Sequence, residues 1–140
     1  MSEPTVEILS DEECWRLLAA ERVGRIAVDS GNGPRIFPVN HVVYDRIISF
    51  RTGPGEKVME SWSHPNVAFE VDGRDGTKFW SVVVEGTSEI RAENDPGLAD
   101  ALRDLVSQHP TPKHMVISIR ADRISGRRFP GVRAAQLWNV

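Results

Sequence analysis

From Val23 onward the hydrophobic period of this chain is two, and clusters of turn residues interrupt it at short intervals. This pattern constrains the fold more than any other feature. Alternation makes each segment a strand with one buried face, and short turns join strands only as antiparallel neighbours. The strand candidates are Val23 to Val28, Arg35 to Tyr44, Ile47 to Arg51, Asn66 to Asp72, Lys78 to Ile90 and His114 to Ile124. Between them lie Asp29-Ser30-Gly31-Asn32-Gly33-Pro34, Asp45-Arg46, Gly53-Pro54-Gly55 and the charged, glycine-bounded stretch Gly73 to Gly76, all of turn composition. Pro38 breaks the second strand and confines it to a sheet edge or a bulge, because proline brings no N–H to a ladder. Val82-Val83-Val84, at the centre of the fifth strand, has the composition of a buried run.

Helical signals are few. Ser10-Asp11-Glu12-Glu13 reads as a capping box, in which the Ser10 hydroxyl accepts from the Glu13 amide and the Glu13 carboxylate reaches back to the Ser10 amide. The helix it opens carries Cys14, Leu17 and Leu18 on the face that would lie on a sheet. A second, short helix is expected from Glu56 to about Ser63, ended by His64-Pro65. A third opens at Asn94-Asp95-Pro96, presents Leu98, Leu102, Leu105 and Val106, and ends near Gln108-His109-Pro110. The tail from Arg127 to Val140 has no clear period. Six strands, two or three short helices and no β-α-β alternation predict a mainly β protein, an antiparallel barrel with appended helices. A doubly wound nucleotide fold is disfavoured. Gly31-Asn32-Gly33-Pro34 lacks the third glycine of the dinucleotide fingerprint, and Gly53-Pro54-Gly55-Glu56-Lys57 lacks the spacing and hydroxyl residue of a P-loop.

Composition narrows the function classes. A length of 140 residues fits one domain, 1–140, with the barrel over about 9–125 and a tail over 126–140. Lys and Arg total 17 against 20 Asp and Glu, a net charge of -3. That argues against a protein whose affinity comes from neutralising nucleic-acid phosphates. The single cysteine, Cys14, excludes a disulfide within the chain and a thiolate metal site, and suits a reducing cytoplasm. Met1 to Leu9 has no signal-peptide pattern and no apolar run approaches a membrane span, so a cytoplasmic protein without a membrane partner is expected. His41, His64, His109 and His114 form no i,i+4 pair and have no carboxylate at ligand spacing, so no metal site is expected.

The segment richest in chemistry is Ser49-Phe50-Arg51-Thr52-Gly53-Pro54-Gly55-Glu56-Lys57, a strand end, a turn and a helix start with two cations six residues apart. Arg51 offers a fork of donors, Thr52 a hydroxyl, Lys57 a point charge, and the turn its free N–H groups. A terminal phosphate would satisfy all of them. The alternative is an Arg and a Lys flanking an exposed turn. Farther on, Arg120, Arg123, Arg127, Arg128 and Arg133 make the C-terminal region basic, either to hold an extended anionic coenzyme tail or to balance charge.

Five motifs occur in order: Val23-Gly24-Arg25-Ile26-Ala27, Pro38-Val39-Asn40-His41-Val42-Val43, Phe50-Arg51-Thr52-Gly53-Pro54-Gly55-Glu56-Lys57, Val67-Ala68-Phe69-Glu70-Val71-Asp72 and Trp80-Ser81-Val82-Val83-Val84-Glu85-Gly86. Over roughly residues 9 to 125 the chain resembles the pyridoxamine 5'-phosphate oxidase-like flavin-binding split-barrel family. It is most similar to the short bacterial, often actinobacterial, branch that binds flavin mononucleotide (FMN) or the deazaflavin coenzyme F-420. The resemblance implies a six-stranded antiparallel split β-barrel, a homodimer with two flavin sites between its protomers, and oxidoreduction by hydride transfer through the flavin to a small-molecule substrate or acceptor. Arg51 and Lys57 would hold the flavin phosphate, and Thr52 would bond the phosphate or ribityl chain. Pro38, Val39, Asn40 and His41 would run along the isoalloxazine ring, and Trp80 and Ser81 would reach in from the second protomer. The Arg- and His-rich C-terminal segment of the vitamin B6 oxidases has no counterpart in Gly126-Arg127-Arg128-Phe129-Pro130 or Gln136-Leu137-Trp138-Asn139-Val140. The resemblance therefore implies the fold and cofactor rather than that substrate. Other expectations are a deazaflavin-dependent reductase and a non-catalytic carrier or sensor of flavin or haem.

Overall fold

The Ser10 hydroxyl accepts from the Glu13 amide at 3.2 Å and opens α1 (Asp11–Ala20). The Glu13 carboxylate turns away from the Ser10 amide and binds Arg16 and Arg128 instead, since two guanidinium groups outcompete one amide for an anion. In the computed structural model, which describes residues 5–53, 63–91, 96–103 and 115–131, α1 places Cys14, Leu17 and Leu18 in the main core.

Around it runs one curled antiparallel sheet of eight strands: β1 (Glu7–Ile8), β2 (Val23–Asp29), β3 (Pro34–Asn40), β4 (Val42–Tyr44), β5 (Ile47–Thr52), β6 (Asn66–Asp75), β7 (Lys78–Arg91) and β8 (Met115–Pro130). Their order is β3-β2-β6-β7-β8-β5-β4, with β1 on β8. The six expected strands are all present. The second is divided into β3 and β4, and two-residue β1 is added, held by Glu7↔Arg128 and Ile8↔Arg127. The expected Gly73 to Gly76 loop is shorter. β6 continues to Asp75 and turns at Gly76, where φ is 63°, a backbone conformation that favours glycine. β8 likewise runs past Ile124 to Pro130, because β7 offers a partner at each step down to Phe79↔Phe129 and Lys78↔Pro130.

The inner face of the curl is apolar: Ile26, Val28, Ile48, Phe50, Phe69, Val71, Val82, Val84, Ile117 and Ile119 are all buried. Val83, expected inside with its neighbours, is 37% exposed. Alternation in a sheet packed on one face sends it outward. A second helix, α2 (Pro96–Arg103), rests Leu98 and Leu102 on Val116 and Val42 beside β4. Arg128 fastens the lower end: its guanidinium lies 3.3 Å from Glu7, 3.2 Å from Glu13 and 3.8 Å from Asp75. The two cations hold the Glu13 carboxyl well below the usual range, at about 2. No helix among the described residues is long and apolar enough to cross a membrane. The helix expected from Glu56 lies outside the described residues.

Candidate functional site

The chain between Pro34 and Tyr44 serves two neighbours. β4 pairs with β5 through Val42↔Ser49, Val43↔Ile48 and Tyr44↔Ile47, whereas β3 pairs along its whole length with β2, from Val23↔Asn40 to Asp29↔Pro34. Carried three residues further, the β4/β5 ladder would set Asn40 opposite Arg51 and Val39 opposite Thr52. It stops at Val42↔Ser49, and the two edges part although β3 still touches β5. Pro38, Val39 and Asn40 lie on one of these diverging edges and Arg51, Thr52 and Gly53 at the end of the other, with Thr52 on the buried face beside Phe50 and half-buried Arg51 on the opposite face. β5 is held rigid from its far edge by Phe50↔Ile117, Arg51↔Val116 and Thr52↔Met115. Thr52 and Gly53 are buried and Arg51 is half-buried. Pro38 sits opposite Arg25 in the sheet's terminal strand, where its missing N–H costs no ladder bond. Lys57, the other cation of the expected phosphate site, lies outside the described residues, as do His109, His114 and Trp138.

The strand breaks at His41 and not at Pro38. His41 is 2% exposed, and its ring meets Phe69 edge-on at 4.9 Å between centroids. Its Nε2–H donates to the Leu18 carbonyl at 2.9 Å, and its backbone N–H donates to the Arg22 carbonyl at 2.9 Å. Leu18 lies in the last turn of α1, whose carbonyls have no partner within the helix, so His41 satisfies one of them. Burial pushes the imidazole below its ordinary value. The sequence signal for this inward role is the apolar company on both sides of it, Val39 and Val42-Val43.

Trp80 and Ser81 stand elsewhere. Trp80 is buried in its own core, and a Cβ on Gly73 would lie 2.6 Å from its indole. Ser81 is the member of the pair that faces out. Trp80 pairs with Arg128, while Arg91 and Arg51 both pair with Val116. Eleven residues of β7 therefore separate Trp80 from the level of Arg51, roughly 36 Å along the strand. Within one chain Trp80 and Ser81 therefore stand at the opposite end of β7 from the level of Arg51.

The outer face of β3, β2, β6 and β7 is partly apolar. Ile36, Ala27 and Ala68 stand in register across it, and Val83 lies nearby. A cavity of about 690 Å³ opens on this face between Ala27, Ala68, Asn66 and Glu85 and reaches Asp122 and Arg123. A smaller one of about 380 Å³ lies beside Arg25, Ile36 and Glu70. Arg25 bridges Glu70 at 3.2 Å and Asp72 at 2.9 Å. Burial and the Asp72 carboxylate raise Glu70 against the pull of that cation. Among the described residues no group of three His, Cys, Asp or Glu side chains is placed to hold a metal ion.

The family model for pyridoxamine 5'-phosphate oxidase matches residues 10–128. The chain belongs to the pyridoxamine 5'-phosphate oxidase family. Its split-barrel fold agrees with solved members. A Corynebacterium glutamicum protein, 34% identical, superposes with a TM-score of 0.78 over 95% of this chain and 99% of its own. An FAD-binding protein of Mycobacterium smegmatis, 37% identical, gives 0.77 over 90% and 100%. An FAD-binding protein of Mesorhizobium loti, 28% identical, gives 0.78 over 91% and 98%. Within the matched residues, the strand break at His41 lies between Pro38–Asn40 and the strand end that carries half-buried Arg51 and buried Thr52.

Proposed function

We propose that the protein is a flavin-binding oxidoreductase whose cofactor lies in the cleft between β3 and β5. The observation that supports this reading is the parting of the two edges at His41, with the strand end Arg51-Thr52-Gly53 on one edge and Pro38-Val39-Asn40 on the other. A phosphate monoester fits that donor set. The Arg51 fork binds two phosphate oxygens, the Thr52 hydroxyl adds a third donor, and Lys57 supplies a further positive charge. Main-chain groups of Pro38 to Asn40 meet the polar rim of the isoalloxazine ring. When bound, the flavin supplies hydride transfer. The chain's part is to bind, orient and shield, so no acid–base side chain is assigned to the chemistry.

FMN is the cofactor this donor set needs at minimum, and the relatives described as FAD-binding support the flavin class. Both flavins carry the same phosphate beside the ribityl chain, so the Arg51 role is common to them. A second copy of the chain completes the site. Ser81 lies too far along β7 to reach the cleft of its own protomer, and the exposed Ile36 and Val83 suit an interface with a partner. The test is the absorption spectrum and mass of the chromophore that copurifies, followed by titration of the apo-protein with FMN, FAD and the deazaflavin coenzyme. Arg51→Ala is expected to weaken flavin binding at least tenfold, a loss of about 1.4 kcal/mol. An unchanged dissociation constant in the folded variant refutes the cleft assignment.

A further inference from the structure

The β7/β8 ladder slips once. Glu85 pairs with Arg123 and Gly86 with Ala121, which leaves Asp122 as an extra residue on β8. On a regular strand residues three apart face opposite ways. Here the extra residue returns Arg120, opposite Thr87, to the face that carries Arg123, opposite Glu85. Such bulges re-aim side chains. This one is locked in place: a Cβ on Gly86 would stand 2.3 Å from the Arg120 carbonyl oxygen, and Thr87 Oγ1 donates to Asp122 at 2.9 Å.

The β4–β5 turn supplies a third arginine. Asp45 and Arg46 have φ of 54° and 56°, the left-handed pair of a two-residue hairpin turn, whose second position favours glycine. The chain places an arginine there against that preference. Arg46, Arg120 and Arg123 line one cavity of about 480 Å³ together with Trp15 and Asp11 of α1 and with Asp122, and Asp122 and Arg123 also border the outer-face cavity. None of the three guanidinium groups has a hydrogen bond or ion pair among the described residues. Of the two carboxylates, Asp122 is already engaged by Thr87. Arg46 and Arg51 are five residues apart along β5, roughly 16 Å, so this cavity is separate from the β3/β5 cleft.

We propose that this cavity binds a nucleoside diphosphate. Its phosphates would sit on the three guanidinium forks, its base against the Trp15 indole, and a ribose hydroxyl would donate to Asp11. The size falls in the ~300–1,000 Å³ range of small-molecule sites. Guanidinium groups pair with phosphate oxygens two at a time, and an aromatic wall accepts the face of any base. A bare inorganic anion would use the arginines and leave Trp15 without a role.

The test is calorimetric titration of the protein as purified, with its flavin, using ADP and inorganic pyrophosphate as probes. ADP is expected to bind once per chain, at least tenfold tighter than pyrophosphate, without displacing flavin. Arg46→Gly keeps the turn, since glycine is the favoured residue there, and Arg120→Ala leaves the bulge glycine in place. Each should weaken ADP at least tenfold, and Arg51→Ala should leave ADP binding unchanged. The proposal is overturned by the absence of ADP binding up to millimolar concentration, by ADP affinity that survives Arg46→Gly or Arg120→Ala, or by pyrophosphate binding as tightly as ADP. Loss of ADP binding in Arg51→Ala, or displacement of flavin by ADP, puts the nucleotide in the cleft and also overturns it.

Discussion

Two side chains show how much one residue decides in this protein. His41 occupies the point where one strand becomes two, and there it serves as a cap for α1 through the Leu18 carbonyl. His41→Ala removes a buried ring and strands that carbonyl, so a loss of about 2–4 kcal/mol is expected in urea unfolding. The motif resemblance set His41 beside the flavin, and the burial of its ring could not be read from the motif, because inward or outward at a strand break depends on where the next ladder begins. Glu13 is the other case. Its carboxyl is held at about 2 by Arg16 and Arg128. A group with a lowered folded-state value stabilises fully above its unfolded value and loses that contribution as pH falls through the lowered one. The urea midpoint of Glu13→Gln should therefore lie below that of the parent at pH 7. The difference should shrink between pH 4.5 and 2 and vanish below that; a gap constant with pH would show that the ion pairs do not stabilise the fold.

At the scale of elements, the strands and α1 were legible because period and caps are local. Val23 to Val28, Ile47 to Arg51 and the helix behind Ser10 lie where alternation and capping put them. What the pattern missed are irregularities enforced by neighbours. The length of β8 comes from β7, and the bulge at Asp122 comes from the close approach of Gly86 to the Arg120 carbonyl. Gly86→Ala should cost about 2–3 kcal/mol, because the obstructing atom is backbone and cannot swing aside. The variant's thermal midpoint checks this, and a shift of under a degree would mean that the ladder tolerates a regular register.

For the whole molecule the decisive feature is the outer face. Arg25, Glu70 and Asp72 surround an apolar row in which Ile36 is 67% exposed. Val83→Arg adds a charge at an outward position with no inward contact to lose. Light scattering is expected to give twice the 15.6 kDa chain mass for the parent and a shift toward the single chain for the variant, with the far-UV spectrum unchanged. A parent that runs as a single chain would remove the second protomer from the proposed site. The cleft follows the same logic. The five ordered motifs pointed to Arg51, Thr52 and Pro38–Asn40, which lie on the two strand edges that part at His41. Trp80 and Ser81, expected to reach in from a second protomer, stand at the far end of β7 within their own chain.

Local chemistry written along the chain was enough to make it mainly β, antiparallel, capped by short helices, and to single out the strand end at Arg51. Alternation, turn residues and caps act over a few neighbours, so they are complete in the sequence. The parting of β3 from β5, the inward turn of His41 and the convergence of Arg46, Arg120 and Arg123 arise from pairings between residues far apart in the chain. Each depends on register and curl, which are set when the sheet closes on its core.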